Sequence, residues 1–366
     1  MASTLLASAR NASAQSSKPA ANSKSVVVAQ IVDVSQAQQD VSKDFLIGSR
    51  AAWQDINLRG GINGRKVLHQ TLETDGTPTS VKQSLGVALD NPACVVLSGS
   101  VGDGVASQLL GISRSGGAKI AHAAPWLQNS SADIDDNTFP IFADRQAQIT
   151  HALQSLSVLG LKELGAVYGS AQNFKADHQD VERIAAALTL KLQPFQAGSN
   201  LRALGQKLTA ATPGALLFLG GTPELAEFTQ GLEQQARQRY IVALADVNLQ
   251  VLAQMGAPRG TPIIATQPVP LAINAMPLVR SYRETMSRLF DEPPTPLSLA
   301  GFMAARYTYE VLSRVDGRLS RQNALAAFQK RSAMDLGGFR VSFDAQRRSG
   351  SYVTQSMLAH DGRLIG

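Results

Sequence analysis

The sequence predicts an α/β protein built from two doubly wound α/β lobes. Short apolar runs rich in β-branched residues alternate with longer stretches that repeat apolar residues at helical spacing, which is typical of parallel strands covered by helices on both faces. The alternation starts a second time after Phe142. The chain has 366 residues, and single cores usually stop growing near ~250–300 residues. Two lobes are therefore expected.

The first lobe begins with a β-branched apolar run at residues 26–32, which we predict to be a buried strand. A polar loop follows, and a helix is predicted at 45–58. Gly60 and Gly61 end this helix because glycine readily takes left-handed dihedral angles. The remaining predicted elements of this lobe are a strand at 66–72, a helix at 81–89, a strand at 94–97, a helix at 105–114 and a strand at 119–122.

The second lobe repeats the pattern of helix and strand, and a proline-rich segment at 267–270 follows it. Its predicted helices lie at 147–159, 177–188, 201–210 and 224–238, and its predicted strands at 164–168, 190–195, 215–219, 240–244 and 262–266. Three more helices are predicted at 276–290, 297–312 and 321–330, and the alternation and turn residues of 337–366 predict a β-hairpin.

Charge and cysteine content exclude several classes of function. The formal charge is +6, but lysine and arginine are scattered and no basic run alternates with aromatic residues, which argues against nucleic-acid binding. The single cysteine, Cys94, excludes an internal disulfide and a CxxC site, and we expect it to be a buried small hydrophobe. No stretch reaches the ~18–20 apolar residues of a membrane span.

Residues 1–24 show no hydrophobic periodicity, and we exclude them from the predicted fold. They are either a disordered tail or the remnant of an export signal. Ala12-Ser13-Ala14 fits a signal-peptidase site, whereas only Leu5 and Leu6 suggest the apolar core of a signal peptide.

The loops that follow the predicted strands contain no catalytic motif. The loop at 33–38 has no glycine, which excludes the dinucleotide fingerprint. The glycine-rich loop at 99–104 is either a simple turn or a place where backbone N–H groups hold an anion, and it does not match the G-x-S-x-G motif that would make Ser100 a nucleophile. The histidines, including His122 at a predicted strand end, lack metal-ligand spacing. We expect no enzyme activity, no metal and no cofactor.

Several motifs resemble those of the type I periplasmic binding proteins, in the branched-chain amino-acid-binding (Leu/Ile/Val-type) branch that serves ABC importers. The helix and turn at 53–66, which ends Gly60-Gly61-Ile62-Asn63-Gly64-Arg65-Lys66, is similar to the family pattern A-x-x-x-I-N-x-x-G-G-I-N-G-R-K. The segment at 220–224 is similar to the pattern G-G-x-x-P-E, and the segments at 301–305 and 337–350 resemble the G-Y-D-A helix and the terminal hairpin. The resemblance runs through residues 25–360.

The resemblance implies two lobes joined by a hinge of three strands, with crossings near residues 142, 268 and 336. The first lobe would then contain residues 25–142 plus 269–336, and the second lobe residues 143–268 plus 337–366. Prolines at 268 and 270 suit an extended hinge strand.

The resemblance also implies a ligand site between the lobes, which holds the ligand's carboxylate and amine on the first lobe. Pro125 or Trp126 stands where the family has a threonine, which removes a hydroxyl and an N–H group. The implied ligand-binding residues are Ser100, Val101, Gly102, Ala123, Ala124, Trp126, Asn173, Phe174, Thr222 and Asp246.

Three acidic or aromatic residues near this site have two interpretations each. Trp126 either packs beneath its loop or covers an apolar ligand, since indoles are common in both settings. Asp246 either recognises a ligand cation or caps a helix that begins at Val247. Asp103 either caps its own helix or faces the ligand, where its carboxylate would repel an anion.

The implied function is that of an extracytoplasmic solute-binding protein. It would capture a small polar or amphipathic ligand, an amino acid or a related compound, and deliver it to an ABC importer. The expected partners are this ligand and an ABC permease in the inner membrane, with no nucleic acid, the expected location is the periplasm, and the expected state is a monomer. The altered pocket also admits amides, short acids, aromatic acids or urea-like solutes. The alternative is a ligand sensor of the same fold that reports to a signalling partner.

Overall fold

The structure is a computed structural model, and it describes residues 25–196, 200–233, 235, 237–256, 260–350, 352–359 and 363–365. The segment 1–24, interpreted above as a tail or a signal remnant, lies outside the described residues.

The first lobe contains a five-stranded parallel sheet in the order β2-β1-β3-β4-β5. Its central strands β1 and β3 are buried along almost their whole length, and Val28 and Val96 are completely buried. The sheet is therefore covered on both faces, as the continuous apolar runs predict. Its elements are β1 (Ser25–Asp33), α1 (Gln39–Leu58), β2 (Lys66–Thr74), α2 (Pro78–Asp90), β3 (Cys94–Ser98), α3 (Asp103–Arg114), β4 (Ala121–Ala123) and β5 (Thr138–Phe139).

The second lobe contains a seven-stranded sheet in the order β14-β13-β10-β9-β8-β6-β7. The strands from β10 to β7 are parallel, and β13 and β14 add an antiparallel edge. Its elements are α4 (Arg145–Val158), β6 (Glu163–Tyr168), α5 (Ala171–Ala187), β7 (Lys191–Gln196), α6 (Leu201–Gln206), β8 (Ala215–Leu219), α7 (Thr222–Leu232), β9 (Tyr240–Ala243), α8 (Leu249–Gln254) and β10 (Ile263–Gln267), followed late in the chain by β13 (Thr354–Leu358) and β14 (Leu364–Ile365).

Three late helices return to the first lobe. They are α9 (Pro277–Leu289), α10 (Pro296–Leu312) and α11 (Arg321–Gln329). Their buried side chains, such as Tyr282 and Phe302, share one hydrophobic core with Val28 and Phe45. The first lobe is thus assembled from two separate stretches of the chain.

Glycines allow α1 and α10 to cross at very short distance. A Cβ atom on Gly48 would stand 1.7 Å from the carbonyl oxygen of Ser298, and a Cβ on Gly301 would stand 1.8 Å from the carbonyl oxygen of Phe45. No other residue type fits at either position without moving a helix. The hydroxyl of Ser49 completes the crossing by donating to the Gly301 carbonyl at 3.2 Å.

A two-stranded hairpin, β11 (Met334–Asp335) and β12 (Arg340–Val341), lies on both sides of residue 336, near which the third crossing was expected. Its Phe339 and Val341 are buried in the core of the first lobe. Further along, the N–H of Ser349 donates to the carbonyl of Pro140 at 3.1 Å, so the chain there runs beside the first crossing. We therefore propose that the third crossing lies near Ser349 rather than near residue 336.

Several helices differ from their predicted bounds. Helix α1 begins at Gln39, six residues before the predicted start. The prediction missed its first turns because they carry polar residues that contact the other lobe. Helix α5 begins at Ala171 rather than 177, and α7 ends at Leu232 rather than 238. The short helix α8 begins at Leu249, two residues after the start at Val247 that the capping interpretation of Asp246 assumes.

Candidate functional site

Residues that follow the carboxyl ends of strands in both lobes meet across a cleft, which is where open α/β sheets usually bind ligands. Helix α1 follows β1 and Asp103 follows β3 in the first lobe. Thr222 follows β8, and Asp246 follows β9, in the second. The side chains of these segments form hydrogen bonds and ion pairs from one lobe to the other.

Two carboxylates one turn apart on α1 contact the second lobe. The Thr222 hydroxyl donates to Asp40 Oδ2 at 2.5 Å, and the Asn248 Nδ2 donates to Asp44 Oδ2 at 3.0 Å. Thr222 is the first residue of α7 and Asn248 is the N-cap of α8. The negative charges therefore face helix N-termini, where the helix dipole favours them. Burial raises the pKa of Asp44, although hydrogen bonds from Thr295 and Asn248 oppose the rise.

Arg145 forms the centre of a second inter-lobe cluster. Its Nη2 lies 2.9 Å from Asp246 Oδ2 in the second lobe and 3.4 Å from Asp103 Oδ2 in the first. Its Nη1 lies 3.3 Å from Asp177 Oδ2 on α5. The Arg145 side chain is only 12% exposed. We call Arg145, Asp103, Asp177 and Asp246 the arginine cluster.

The charges of the arginine cluster perturb one another. Burial raises the pKa of Asp177 to about 6 and also raises the pKa of Asp246, and in both cases the nearby guanidinium only partly offsets the effect. Burial disfavours the charged form of Arg145, but the three carboxylates raise its pKa above its ordinary value. Arg145 is therefore a permanent cation in a group with excess negative charge.

An open cavity of about 410 Å³ lies between the lobes beside the Asp40 and Asp44 contacts. This volume falls in the ~300–1,000 Å³ range of small-molecule sites. The cavity has apolar walls at Ile47, Val251 and Met255. Among the residues predicted to bind ligand, Thr222 alone lines it. Its polar lining comes from both lobes and includes Gln36, Asp40, Asp44, Thr222, Asn248 and Gln254.

The predicted glycine-rich loop residues pack tightly under the cleft. Ser100 and Val101 are completely buried, and Val101 pairs with Val32 as an extension of the sheet. No partner within the described residues bonds the Ser100 hydroxyl. Gly102 has φ 97°, and a Cβ there would stand 2.7 Å from the Cβ of Asp33, so this position requires glycine.

The second predicted segment, after β4, is also buried. Ala123 and Ala124 have no exposed surface, and Ala124 adopts a left-handed φ of 47°. The Trp126 ring lies 5.7 Å from Phe45 and 5.4 Å from Phe142, measured between ring centroids. Trp126 is 1% exposed. This position matches the packing interpretation of Trp126 rather than that of a ligand cover.

In the second lobe, Asn173 and Phe174 lie near the start of α5, whereas Thr222 and Asp246 lie on other segments. Asn173 contacts Ser170, which caps α5, through its backbone N–H at 3.1 Å. Phe174 stacks on His178 with a ring separation of 4.3 Å and meets the edge of Tyr168. Neither residue contacts the first lobe through a hydrogen bond or ring contact recorded for the described residues. Thr222 and Asp246, in contrast, both bond across or into the cleft.

The capping interpretations of two aspartates are wrong. Helix α8 begins at Leu249 with Asn248 as its N-cap, so Asp246 caps no helix and pairs with Arg145 instead. Gly102 is the N-cap position of α3, with no side-chain cap. The Asp103 carboxylate instead accepts the backbone N–H groups of Gln128 and Asn129 at 2.8 and 2.9 Å. It thereby fixes the loop that follows Trp126.

Sequence reasoning missed Arg145, Asp177, Asp40 and Asp44. Arg145 lies three residues after the expected crossing at 142, and this position was its only distinguishing feature. Asp40 and Asp44 have i, i+4 spacing, which would place them on one face of a helix if the helix start had been recognised.

The described part of the chain shows no cluster of three or more His, Cys, Asp or Glu side chains arranged as metal ligands. His122 is buried, and burial lowers its pKa to about 4, which keeps the ring neutral. Cys94 is buried, and burial raises the pKa of its thiol. Within the described ranges, no helix combines the length and hydropathy needed to cross a bilayer.

The comparison with known families matches the geometry just described. A family model for the periplasmic binding protein matches residues 25–359. The chain belongs to the periplasmic binding protein family. Its predicted family and its α/β two-lobe fold are therefore confirmed, although no curated protein sequence matches it.

Solved structures of other periplasmic binding proteins share this fold. An extracellular ligand-binding receptor from Verminephrobacter eiseniae has 18% identity and a TM-score of 0.84, covering 93% of this chain and 100% of that one. A substrate-binding periplasmic protein from Ralstonia solanacearum has 22% identity and a TM-score of 0.81, with 93% and 99% covered. A branched-chain amino acid ABC transporter protein from Thermus thermophilus with bound valine has 14% identity and a TM-score of 0.78, with 93% and 94% covered. At these identities the likeness concerns the fold alone.

Proposed function

We propose that this chain is an extracytoplasmic solute-binding protein that captures a small polar or amphipathic ligand and delivers it to an ABC importer. The observation that carries the proposal is the cavity of about 410 Å³ to which both lobes contribute polar side chains. A ligand held there contacts both lobes at once, so its binding free energy favours the closed arrangement. Closure is then the event that a membrane partner recognises.

The contacts across the cleft support this mode of action. Asp40 and Asp44 accept hydrogen bonds from Thr222 and Asn248, and all four residues line the cavity. Because a buried polar group without a partner is costly, a solute that bonds these groups is preferred over one that leaves them unpaired. The cavity's apolar wall suits the hydrocarbon part of an amphipathic solute.

The ligand class that we propose is an amino acid or a related compound, bound by Thr222 and the polar residues around it. Among the other residues predicted from the sequence, Ser100, Gly102 and Trp126 would shape the first-lobe side of the site from beneath. The proposed location is the periplasm, the proposed partner is an ABC permease, and the proposed state is a monomer. Membership of the family and the names of several structural neighbours, which are ABC transporter substrate-binding proteins, support these assignments.

A thermal-unfolding screen tests the proposed function. The panel contains branched-chain amino acids, amides, short acids, aromatic acids and urea-like solutes. A ligand at ~100 times its dissociation constant adds about 2.7 kcal/mol to stability, and we expect a matching decrease in the radius of gyration by solution scattering. Thr222→Val should weaken each hit, whereas Thr229→Val, whose hydroxyl bonds only within α7 to Ala226, should not. Chemical turnover of a hit, or a flat panel with unchanged scattering, would contradict the proposal.

A further inference from the structure

Arg145 is held rigidly at the boundary between the lobes. It is the first residue of α4, directly after the N-cap Asp144, whose carboxylate accepts the Ala147 N–H at 2.9 Å. The backbone of Arg145 also donates to the carbonyl of Gln128 at 2.9 Å, in the loop that follows Trp126. These hydrogen bonds hold the backbone at Arg145 in place, so its side chain extends from a fixed position.

One atom of this side chain joins the two lobes. Nη2 contacts Asp103 of the first lobe and Asp246 of the second, at 3.4 and 2.9 Å. Asp246 was predicted to pair with a ligand cation, and its partner is a side chain of the chain itself. The position between these two carboxylates therefore holds a guanidinium. It lies outside the lining of the cavity of about 410 Å³, but Asp246 is close enough to Asp40, which lines that cavity, for the two carboxylates to interact.

We propose that Arg145 takes the place of a ligand ammonium group, and that this chain consequently selects solutes that lack a free amine. The selection of solutes rests on the proposed function, whereas the occupancy of the cation position does not. Amides and other uncharged relatives of amino acids are the class that fits.

Both the occupancy of this position and its charge disfavour a ligand amine there. An ammonium group that approached Asp246 would meet a guanidinium at hydrogen-bond distance from the same carboxylate, and two cations repel at this range. If Arg145 were displaced, a mostly buried guanidinium would lose all three carboxylate partners at once. A solute without an amine avoids both costs. The excess of carboxylates also disfavours an anionic group pointed at the cluster.

The cation position can be tested without knowing the ligand. The variant Arg145→Ala removes the side chain, and methylammonium chloride is the probe of the vacated position. We expect millimolar methylammonium to raise the thermal midpoint of Arg145→Ala by several degrees more than sodium chloride or tetramethylammonium chloride does. Wild-type protein should not respond. Arg114→Ala is the matched control, because Arg114 pairs with Asp133 at an exposed site.

An equal response of Arg145→Ala and wild type to methylammonium would overturn the proposal. Arg145→Gln carries the same test if the alanine variant does not fold, and Arg145→Lys, which restores a cation, should lose the response again. A role of Arg145 in folding alone would lower all midpoints without producing a response specific to methylammonium.

The second arm compares leucinamide with 4-methylpentanamide, which has the same carbon skeleton and the same amide group but no amine. We expect wild type to be stabilised more by 4-methylpentanamide, and Arg145→Ala to change this preference at least tenfold toward leucinamide. Preference of wild type for leucinamide would overturn the selection. If methylammonium rescues the variant while no solute in the wider screen binds wild type, the proposed function fails and the assignment of Arg145 stands.

Discussion

Thr222 of the second lobe donates its hydroxyl hydrogen to Asp40 of the first lobe at 2.5 Å, and it also accepts the backbone N–H of Asn248 at 2.9 Å. A single hydroxyl thus connects the start of α7, the start of α8 and the first turn of α1. Thr222 therefore links the first lobe to two helix starts of the second lobe.

Replacing Thr222 by valine should weaken the contact between the lobes. The substitution keeps the side-chain shape but leaves the Asp40 carboxylate without its donor, and a hydrogen bond to a charged group contributes about 1.5–3 kcal/mol. We expect a larger radius of gyration in ligand-free solution and a lower denaturation midpoint. Thr229→Val should change neither measurement appreciably. An unchanged radius for Thr222→Val would show that this bond does not hold the lobes together.

Alanine at Gly48 should destabilise the first lobe strongly. The added methyl group would overlap the carbonyl of Ser298, so α1 and α10 must separate, and overpacking of this kind costs about 1–3 kcal/mol or more. Gly86→Ala is the matched control, because Gly86 also lies inside a helix but has open space around it. There the exchange should stabilise by roughly 0.5–1 kcal/mol. Chemical denaturation of both variants checks the difference, and equal midpoints would contradict the close crossing.

The stability of the second lobe should fall as the pH rises from about 4 to about 6. The pKa of Asp177 is about 6 in the folded protein and about 3.9 in an unfolded chain, so the folded state holds the proton more tightly in this window. Ionisation therefore costs stability, by up to about 3 kcal/mol, until the pH passes 6. Asp177→Asn should reduce this decline, because Asp246, whose pKa is also raised, still contributes to it. Asp180→Asn, on the same helix but paired with Arg183, should leave the decline unchanged. Unfolding free energies measured from about pH 3.5 to about pH 7.5, a range that includes both pKa values, test this prediction.

Substitution of Trp126 should affect stability before it affects binding. The indole lies between Phe45 and Phe142, so Trp126→Ala should cost about 3–5 kcal/mol. Trp126→Phe keeps an aromatic ring there and should cost much less. If the phenylalanine variant instead kept full stability and lost a ligand found in the screen, Trp126 would have to contact that ligand directly.

The central strands of both sheets could be predicted because several of them are nearly continuous apolar runs. Runs such as Val95-Val96-Leu97 indicate burial on two faces without any tertiary information. Element bounds were lost where polar residues face the other lobe, as in the first turns of α1. The hydrophobic period vanishes there, since Asp40 and Asp44 are held by partners about 180–200 positions away in the chain.

The site was harder to predict than the fold for the same reason. Asp246 was predicted to recognise a ligand cation, whereas its cationic partner in the structure is Arg145, 101 residues earlier in the chain. Nothing local to Arg145 distinguishes it from other arginines. Only the approach of the two lobes brings the guanidinium to its carboxylates, and the spacing of apolar residues along the sequence does not indicate that approach.

The close approach of Gly48 to Ser298 and of Gly301 to Phe45 has a mechanical effect on the cleft. Each glycine is wedged under a carbonyl of the neighbouring helix, which prevents α1 from sliding along its axis or turning about it. Asp40 and Asp44 therefore stay at a constant height above their sheet. Any separation of the lobes must come from bending in the connecting chain segments, so the two carboxylates release Thr222 and Asn248 together rather than one after the other.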